Sequence, residues 1–159
     1  MPLAVILLAA GQGTRMNSDL PKVLHPLAGA PLIAHAVAAA RALEPDRLVV
    51  VTGHGAEAVR AAVAEIDPEA AIAVQEEQRG TGHAVRAAVP ALEGFAGDAL
   101  VLYGDTPLIR PGTLRAMLEA RAAGAAVVAL GFEAANPTGY GRLVTGPDGG
   151  LEAIVEEKD

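Results

Sequence analysis

The stretch AVILLAAGQGTRM, residues 4–16, decides the fold of this chain, because an apolar strand runs directly into a turn that contains two glycines. Its first residues show no polar alternation, which is typical of a strand buried on both faces of a parallel sheet. Gly11 and Gly13 let the backbone bend sharply and turn successive N–H groups toward one concavity. Arg15 and the nearby Lys22 add positive charge. The segment therefore predicts a phosphate-binding turn at the end of a strand.

Two other phosphate-binding loops do not fit this stretch. The dinucleotide fingerprint needs a third small residue where this chain has Met16. It also needs an acidic residue at the next strand, and residues 48–55 contain none. The Walker loop needs Gly-Lys-Ser/Thr, which the sequence does not contain. Dehydrogenases and P-loop kinases are therefore disfavoured. An ordinary connecting turn with a solvated Arg15 remains the alternative.

Composition limits the possible classes of protein. The chain has 159 residues, of which 52% are apolar, which predicts one folded domain. Cysteine is absent, so disulfides, thiolate zinc sites and a cysteine nucleophile are excluded, and we expect a reducing, cytoplasmic location. The apolar run at residues 3–10 is too short to cross a bilayer, so no stable membrane insertion is expected.

Charge and aromatic content argue against a nucleic-acid partner. The formal net charge is −7, and the chain has no Trp, two Phe and two Tyr. An acidic protein repels a polyanion, and few rings are present on which bases could stack. A small phosphorylated molecule held by local cations is compatible with this composition.

Alternating apolar strands and helical segments predict an α/β fold, a Rossmann-like and mostly parallel sheet with helices on both faces. A hairpin is expected near the end of the chain. The predicted strands are residues 4–8, 48–52, 71–75, 99–103, 125–131, 142–145 and 151–156, and the predicted helices are residues 32–43, 56–66, 81–92 and 111–123.

Three glycine-containing turns follow predicted strands: the loop after Leu8, residues 75–82 and residues 103–105. Ligands in parallel sheets bind outside the carboxyl ends of the strands, so these turns predict one shared site. Asp105 is there a candidate magnesium ligand, with a purely turn-forming role as the alternative. Gln75 has the donors and acceptors to read a base edge, although a glutamine at a strand end more often makes a simple loop contact. The four histidines show no metal-ligand spacing and are assigned no catalytic role.

Five blocks of sequence together resemble the sugar-1-phosphate nucleotidylyltransferases, and most closely the GlmU family of N-acetylglucosamine-1-phosphate uridylyltransferases. The resemblance extends along essentially the whole chain, and the blocks after the first favour uridylyl transfer over other nucleotides. The blocks are LAAGQGTRM (residues 8–16), SDLPKVLH (18–25), GTGHA (80–84), YGDTPL (103–108) and PTGYGR (137–142).

The resemblance implies the nucleotide-diphospho-sugar transferase fold and a reaction. UMP would pass from UTP to N-acetylglucosamine 1-phosphate by direct in-line attack with Mg²⁺, giving UDP-N-acetylglucosamine, a cell-wall precursor, and pyrophosphate. Full-length members are expected to form homo-oligomers.

The resemblance also implies roles for individual residues. Arg15 and Lys22 would be catalytic and face the triphosphate, and Asp105 would bind the metal. Tyr103, Gly104, Gly141 and Glu156 would line the path to the sugar. The other expected substrate-binding residues are Leu8, Ala9, Ala10, Gly11, Gly13, Thr14, Gln75, Gly80 and Thr81.

In that family two asparagines of the metal and sugar sites, and an acetyltransferase domain, follow the segment that corresponds to this chain. We therefore expect residues 1–159 to be an incomplete uridylyltransferase domain, without acetyltransferase activity and with weak or no turnover in isolation. Transfer of another nucleotide or sugar is the nearest alternative, and a sensor that only binds sugar nucleotides is the alternative from another class.

Overall fold

The computed structural model describes residues 1–11, 13, 16–53 and 55–157. The chain divides into two compact units, residues 1–116 and 117–159. In chain order the elements are β1 (Leu3–Ala9), β2 (Pro26–Leu27), β3 (Ala30–Pro31), α1 (Leu32–Arg41), β4 (Arg47–Thr52), α2 (Ala56–Ile66), β5 (Ala71–Val74), α3 (Thr81–Ala87), β6 (Asp98–Tyr103), α4 (Pro111–Ala122), β7 (Arg142–Thr145) and β8 (Leu151–Val155).

Four strands of the first unit form a parallel sheet in the order β5-β4-β1-β6. Leu8 in β1 lies opposite Val51 of β4 on one side and Tyr103 of β6 on the other. The strand order changes direction at β1, because the chain goes first to β4 and β5 and then returns to the other side. Ligands bind at such a switch point, which here lies at the carboxyl ends of β1 and β6.

Helices cover both faces of the sheet, as the sequence predicts. On one face Ile6, Val49 and Ala73 pack with Ala84 of α3. The side chains of β1 that point the other way, such as Val5 and Leu7, are also fully buried. The helices α1 and α2 contact each other as well as β1 and β4, respectively, and they cover this second face. Burial of one such side chain contributes about 1.5–3 kcal/mol. The predicted α/β fold with a mostly parallel sheet is confirmed.

One predicted helix is shorter than expected, and one predicted strand is wrong. The helix predicted over residues 81–92 ends at Ala87 and is followed by a 3₁₀ turn, Val89–Leu92. Pro90 lacks the N–H that would continue an α-helix. Residues 125–131 are not a strand, and Val127 is 77% exposed. These residues have a strand-like composition but no hydrogen-bonded neighbouring strand in the described chain, and β-propensity depends on such packing.

The second unit contains the predicted hairpin. The strands β7 and β8 are antiparallel, with Arg142 opposite Val155 and a register shift between Val144 and Thr145. Gly149, at a φ of 79°, donates its N–H to the carbonyl of Gly146 in the connecting turn. Within the described residues, no helix combines the length and the apolar character that a bilayer crossing requires.

Candidate active site

A cavity of about 300 Å³ opens at the carboxyl ends of the parallel strands, beside the switch point. Residues that follow β1, β5 and β6 line it, as the three glycine-containing turns predict. The lining comprises Leu8, Ala9, Ala10, Gly11, Lys22, Val23, Gln75, Gln78, Gly80, Thr81, Ala84, Tyr103 and Asp105. All but Val23, Gln78 and Ala84 are residues that the sequence predicts for the site.

An ion pair crosses this cavity. Lys22 Nζ donates to Asp105 Oδ2 over 2.6 Å, and the two side chains are 38% and 29% exposed. Lys22 begins the 3₁₀ turn Lys22–Leu24, and Asp105 follows β6. Among the described residues that line the cavity, these two carry the charge. A pair this accessible to solvent contributes at most about 1 kcal/mol, so a ligand with several charges can replace it.

Gly13 determines how closely the turn approaches Lys22. Its φ is +62°, and a Cβ built at this position would lie 2.7 Å from Lys22 Cβ. Both the backbone angle and the close contact therefore require glycine. The Gly13 carbonyl also accepts a hydrogen bond of 2.8 Å from the N–H of Met16. Gly13 is thus beside the cavity and supports Lys22, rather than being part of the cavity lining.

Gly104 joins the ends of β6 and β1. Its N–H donates to the Leu8 carbonyl over 2.8 Å, and a Cβ there would lie 3.1 Å from Val23 Cγ1 and 3.2 Å from the Leu8 oxygen. The glycine permits this close approach of backbone to backbone. Gly104 is therefore a structural neighbour of Tyr103 and Asp105, and it is not in the cavity lining itself.

The segment after β5 forms the other side of the cavity lining. Gln75 is only 5% exposed, and its backbone N–H donates to the Thr52 carbonyl over 2.7 Å. Its side-chain Nε2 donates to the Gly80 carbonyl over 3.2 Å and lies 3.1 Å from His83 Nδ1. Gln78 Nε2 donates over 2.7 Å to the Ala10 carbonyl in the glycine turn. These contacts hold the two segments together.

Four predicted site residues do not belong to the described part of the first unit. Thr14 and Arg15 lie outside the described residues. Gly141 and Glu156 belong to the second unit, where a Cβ on Gly141 would lie 3.5 Å from Glu156 Oε2. The structure therefore brings Gly141 and Glu156 together within the second unit, and their role at the sugar stays a prediction.

Residues 5–147 match the MobA-like NTP transferase domain. The chain belongs to this family. "Bifunctional protein GlmU" of Dinoroseobacter shibae is 67% identical over 159 residues, which are 100% of this chain and 35% of that protein. The protein of the same name from Paracoccus denitrificans is 63% identical over 158 residues, 99% of this chain and 34% of that protein. The predicted relationship to GlmU is confirmed, and the chain spans about a third of the length of these relatives.

Solved structures give the same fold. Rv0371c from Mycobacterium tuberculosis superposes with a TM-score of 0.67 at 28% identity, over 77% of this chain and 61% of that one. A second structure of that protein is a complex with manganese and has a TM-score of 0.64, with the same identity and coverage. HddC from Yersinia pseudotuberculosis, complexed with GMP-PN, has a TM-score of 0.71 over 96% of this chain and 68% of that one. At 22% identity, this last likeness concerns the fold alone.

The residues that line the cavity fit a metal ion for which a phosphorylated substrate supplies some of the ligands. Asp105 supplies the carboxylate in the cavity lining, and the described residues contain no cluster of three or more His, Cys, Asp or Glu side chains that could hold a metal. Mg²⁺ is commonly bound through one or two carboxylates together with waters and substrate phosphates. Asp105 is thus compatible with a shared ligand set.

Sequence reasoning missed Gln78 and His83. Gln78 contacts a residue 68 positions earlier, and such a distant partner leaves no local pattern. From the sequence, His83 is assigned no role in metal binding or catalysis, and the structure places its Nδ1 3.1 Å from Gln75 Nε2. The spacing could have indicated that His83 lies near the site, because it follows Gly80 by three residues and stands in the first turn of α3.

Proposed function

We propose that this chain is part of a uridylyltransferase domain, and that it transfers UMP from UTP to N-acetylglucosamine 1-phosphate with release of pyrophosphate. The observation that carries the proposal is the convergence of Lys22, Asp105 and the glycine turn with Gln75 in one cavity at the switch point. The 67% identity to a GlmU protein supports the choice of this substrate pair over others.

The two groups of lining residues suit the two parts of a nucleotide. We assign the triphosphate to Lys22 and Gly11, which line the cavity, and to the turn that continues to Gly13 beside it. An ammonium group and backbone N–H groups both bind phosphate oxygens. We assign the base to Gln75 and Gly80, which offer an amide and exposed backbone groups.

The reaction itself needs no covalent enzyme intermediate. An oxygen of the sugar 1-phosphate forms a bond to the α-phosphorus of UTP while the bond to the β-phosphate oxygen breaks, and that electron pair leaves with pyrophosphate. Lys22 would stabilise the negative charge that develops on the leaving group, as would Arg15. One well-placed donor of this kind is worth about 3–4 kcal/mol of barrier lowering.

Asp105 is the residue that would hold a divalent ion in this site. When bound, Mg²⁺ would neutralise phosphate charge and polarise the phosphorus centre. The manganese complex of Rv0371c supports use of a divalent ion in this fold. For Asp105 to serve, its carboxylate must release Lys22, which then becomes available to the phosphates.

We assign the sugar end of the substrate to Tyr103 and to Gly104 beside it. Contact of Gly141 and Glu156 with the sugar stays a proposal from the sequence. Tyr103 is 47% exposed and lines the cavity, so its ring is available to a ligand. We also propose that the full-length protein acts in the cytoplasm as a homo-oligomer.

Pyrophosphate release tests the proposal. The protein is incubated with Mg²⁺ and N-acetylglucosamine 1-phosphate, and UTP is compared with CTP, GTP and dTTP, with glucose 1-phosphate as the control acceptor. Because the chain spans about a third of its relatives, dissociation constants for the four triphosphates are measured as well. We expect selective binding of UTP and, where turnover occurs, release of pyrophosphate with the N-acetylated sugar. Preference for another triphosphate or for glucose 1-phosphate would contradict the assignment.

A further inference from the structure

We infer that His83 is a positioning residue: it fixes the orientation of the Gln75 amide and thereby sets the preference of the site for uracil over cytosine. The inference rests on the proposed function, since it concerns the base of the bound nucleotide. It depends on three groups that the structure places together, the side chains of Gln75 and His83 and the carbonyl of Gly80.

The Gly80 carbonyl decides which end of the amide faces it. A carbonyl oxygen only accepts hydrogen bonds, so the Gln75 atom 3.2 Å away must be the NH₂ nitrogen, Nε2. The opposite orientation would bring two oxygens together inside a side chain that is almost fully buried.

His83 holds the same nitrogen from a second direction. Its Nδ1 lies 3.1 Å from Gln75 Nε2. An amide nitrogen does not accept hydrogen bonds, so His83 Nδ1 must accept and the imidazole must carry its proton on Nε2. Both amide hydrogens of Gln75 are then committed to the protein, one to Gly80 and one to His83.

This arrangement leaves Gln75 Oε1 as the only atom of the amide that can serve a ligand, and it is an acceptor. Uracil presents a donor at N3–H, whereas cytosine presents an acceptor at N3. We place Oε1 opposite position 3 of the ring, where an acceptor pairs with the N3–H of uracil and repels the N3 lone pair of cytosine. To bind cytosine, the amide would have to turn over and place its oxygen against two acceptors, Gly80 O and His83 Nδ1.

The Gly80 carbonyl and His83 Nδ1 both hold the Gln75 amide in this orientation. Substitution of His83 by a residue without an acceptor removes one of these two hydrogen bonds. The expected cost is one hydrogen bond, which corresponds to about a fivefold loss of discrimination at roughly 1 kcal/mol. A role limited to packing in α3 predicts something different, because a loosened helix weakens UTP and CTP binding by the same factor.

The test compares His83→Leu with His83→Asn. Leucine keeps bulk without an acceptor, and asparagine places an acceptor oxygen near the position of Nδ1, so it is the matched control. Dissociation constants for UTP and CTP with Mg²⁺ are measured by calorimetry, and melting temperatures monitor folding. We expect the CTP/UTP ratio of dissociation constants to fall about fivefold in His83→Leu and to stay within about twofold of wild type in His83→Asn.

An unchanged ratio in His83→Leu, or an equal fall in both variants, would overturn the inference. A wild-type protein that prefers UTP but releases pyrophosphate with glucose 1-phosphate rather than with N-acetylglucosamine 1-phosphate would contradict the proposed function and leave this inference standing. Equal binding of UTP and CTP would overturn the inference. Nitrogen-15 NMR of the ligand-free protein gives an independent measurement: we expect the tautomer with the proton on His83 Nε2, and a proton on Nδ1 would overturn the inference even if a variant fails to fold.

Discussion

Lys22 Nζ and Asp105 Oδ2 are 2.6 Å apart, so the cation and the carboxylate assigned to the phosphates and to the metal are paired with each other in the ligand-free protein. The two residues are separated by 83 positions in the chain and meet only because β1 and β6 are neighbours in the sheet. Under the proposed function, each would exchange its partner when a nucleotide and a divalent ion bind. The ion pair therefore gives each charged group a partner of opposite charge while no ligand is bound.

Substitution of Lys22 by methionine should affect metal binding and turnover in opposite directions. Without the ammonium group, Asp105 is free, and Mn²⁺ measured by electron paramagnetic resonance without nucleotide should bind up to about fivefold more tightly. Pyrophosphate release, measured in the full-length protein, should fall by about 10²–10³, the usual loss for one donor at a leaving group.

Arg60→Met is the control for this experiment, because it removes the same charge from α2 and Arg60 pairs only weakly with Glu57 over 3.9 Å. Equal tightening of Mn²⁺ binding in both variants would mean that net charge, and not the contact with Asp105, is responsible.

Gly13→Ala should destabilise the protein, whereas Gly11→Ala should not. At Gly13 the added methyl would lie 2.7 Å from Lys22 Cβ at a φ of +62°. At Gly11 no atom of the described residues lies within 4 Å of the added methyl. We expect a loss of about 1–3 kcal/mol in the free energy of unfolding for Gly13→Ala. For Gly11→Ala we expect a change within about 0.5 kcal/mol. Urea unfolding measures both, and a similar loss in both variants would refute the close approach of Gly13 to Lys22.

The ion pair between Arg41 and Asp67 should make stability depend on pH. Arg41 Nε and Nη2 donate to the Asp67 carboxylate over 2.5 and 2.9 Å, at the ends of α1 and α2. The hydrogen bond from Arg41 lowers the pKa of Asp67 below its usual value, against the opposing effect of burial. The folded state thus holds the proton less tightly than the unfolded state, and stability from this pair is present above the unfolded pKa of about 3.9.

Arg41→Met should therefore lower the free energy of unfolding by about 1–3 kcal/mol at pH 7. The difference from wild type should shrink as the pH falls below about 4 and Asp67 becomes protonated in the folded protein. Urea unfolding between pH 7 and pH 3 checks this. A difference that stays constant over the range would show that Arg41 acts through packing and not through the charge of Asp67.

Substitution of Gln78 should weaken nucleotide binding, because Gln78 holds the glycine turn in place. Its Nε2 donates to the Ala10 carbonyl over 2.7 Å, which links the segment after β5 to the end of β1. Gln78→Leu removes one hydrogen bond and should weaken UTP binding about fivefold. Gln78→Glu keeps the shape but places a carboxylate against a carbonyl oxygen, so it should be worse than leucine. The opposite order, or no effect of either, would contradict this role.

The parts of the fold that could be predicted are those with a local cause. The residues of β1 and β4 are apolar without alternation, and burial on both faces follows directly from that pattern. The glycine turns at the strand ends likewise predicted the cavity. Residues 125–131 have the same composition as a strand, but composition does not reveal whether a neighbouring strand is present, and that prediction is wrong.

The contacts that organise the site depend on residues far apart in sequence. Gln78 meets Ala10 across 68 positions, and no window of sequence contains both partners. The amide of Gln75 was predicted as a base reader. Its orientation, however, depends on His83 Nδ1 and the Gly80 carbonyl, and sequence does not encode that geometry in a visible pattern.

A crystal structure of the protein with UTP and Mg²⁺ tests the central claim most directly. We predict that the triphosphate lies along the turn at Gly11 and Gly13, that Lys22 Nζ has left Asp105 for a phosphate oxygen, and that the base contacts Gln75. A structure in which UTP is bound elsewhere, with Lys22 and Asp105 still paired across the cavity, would contradict the account.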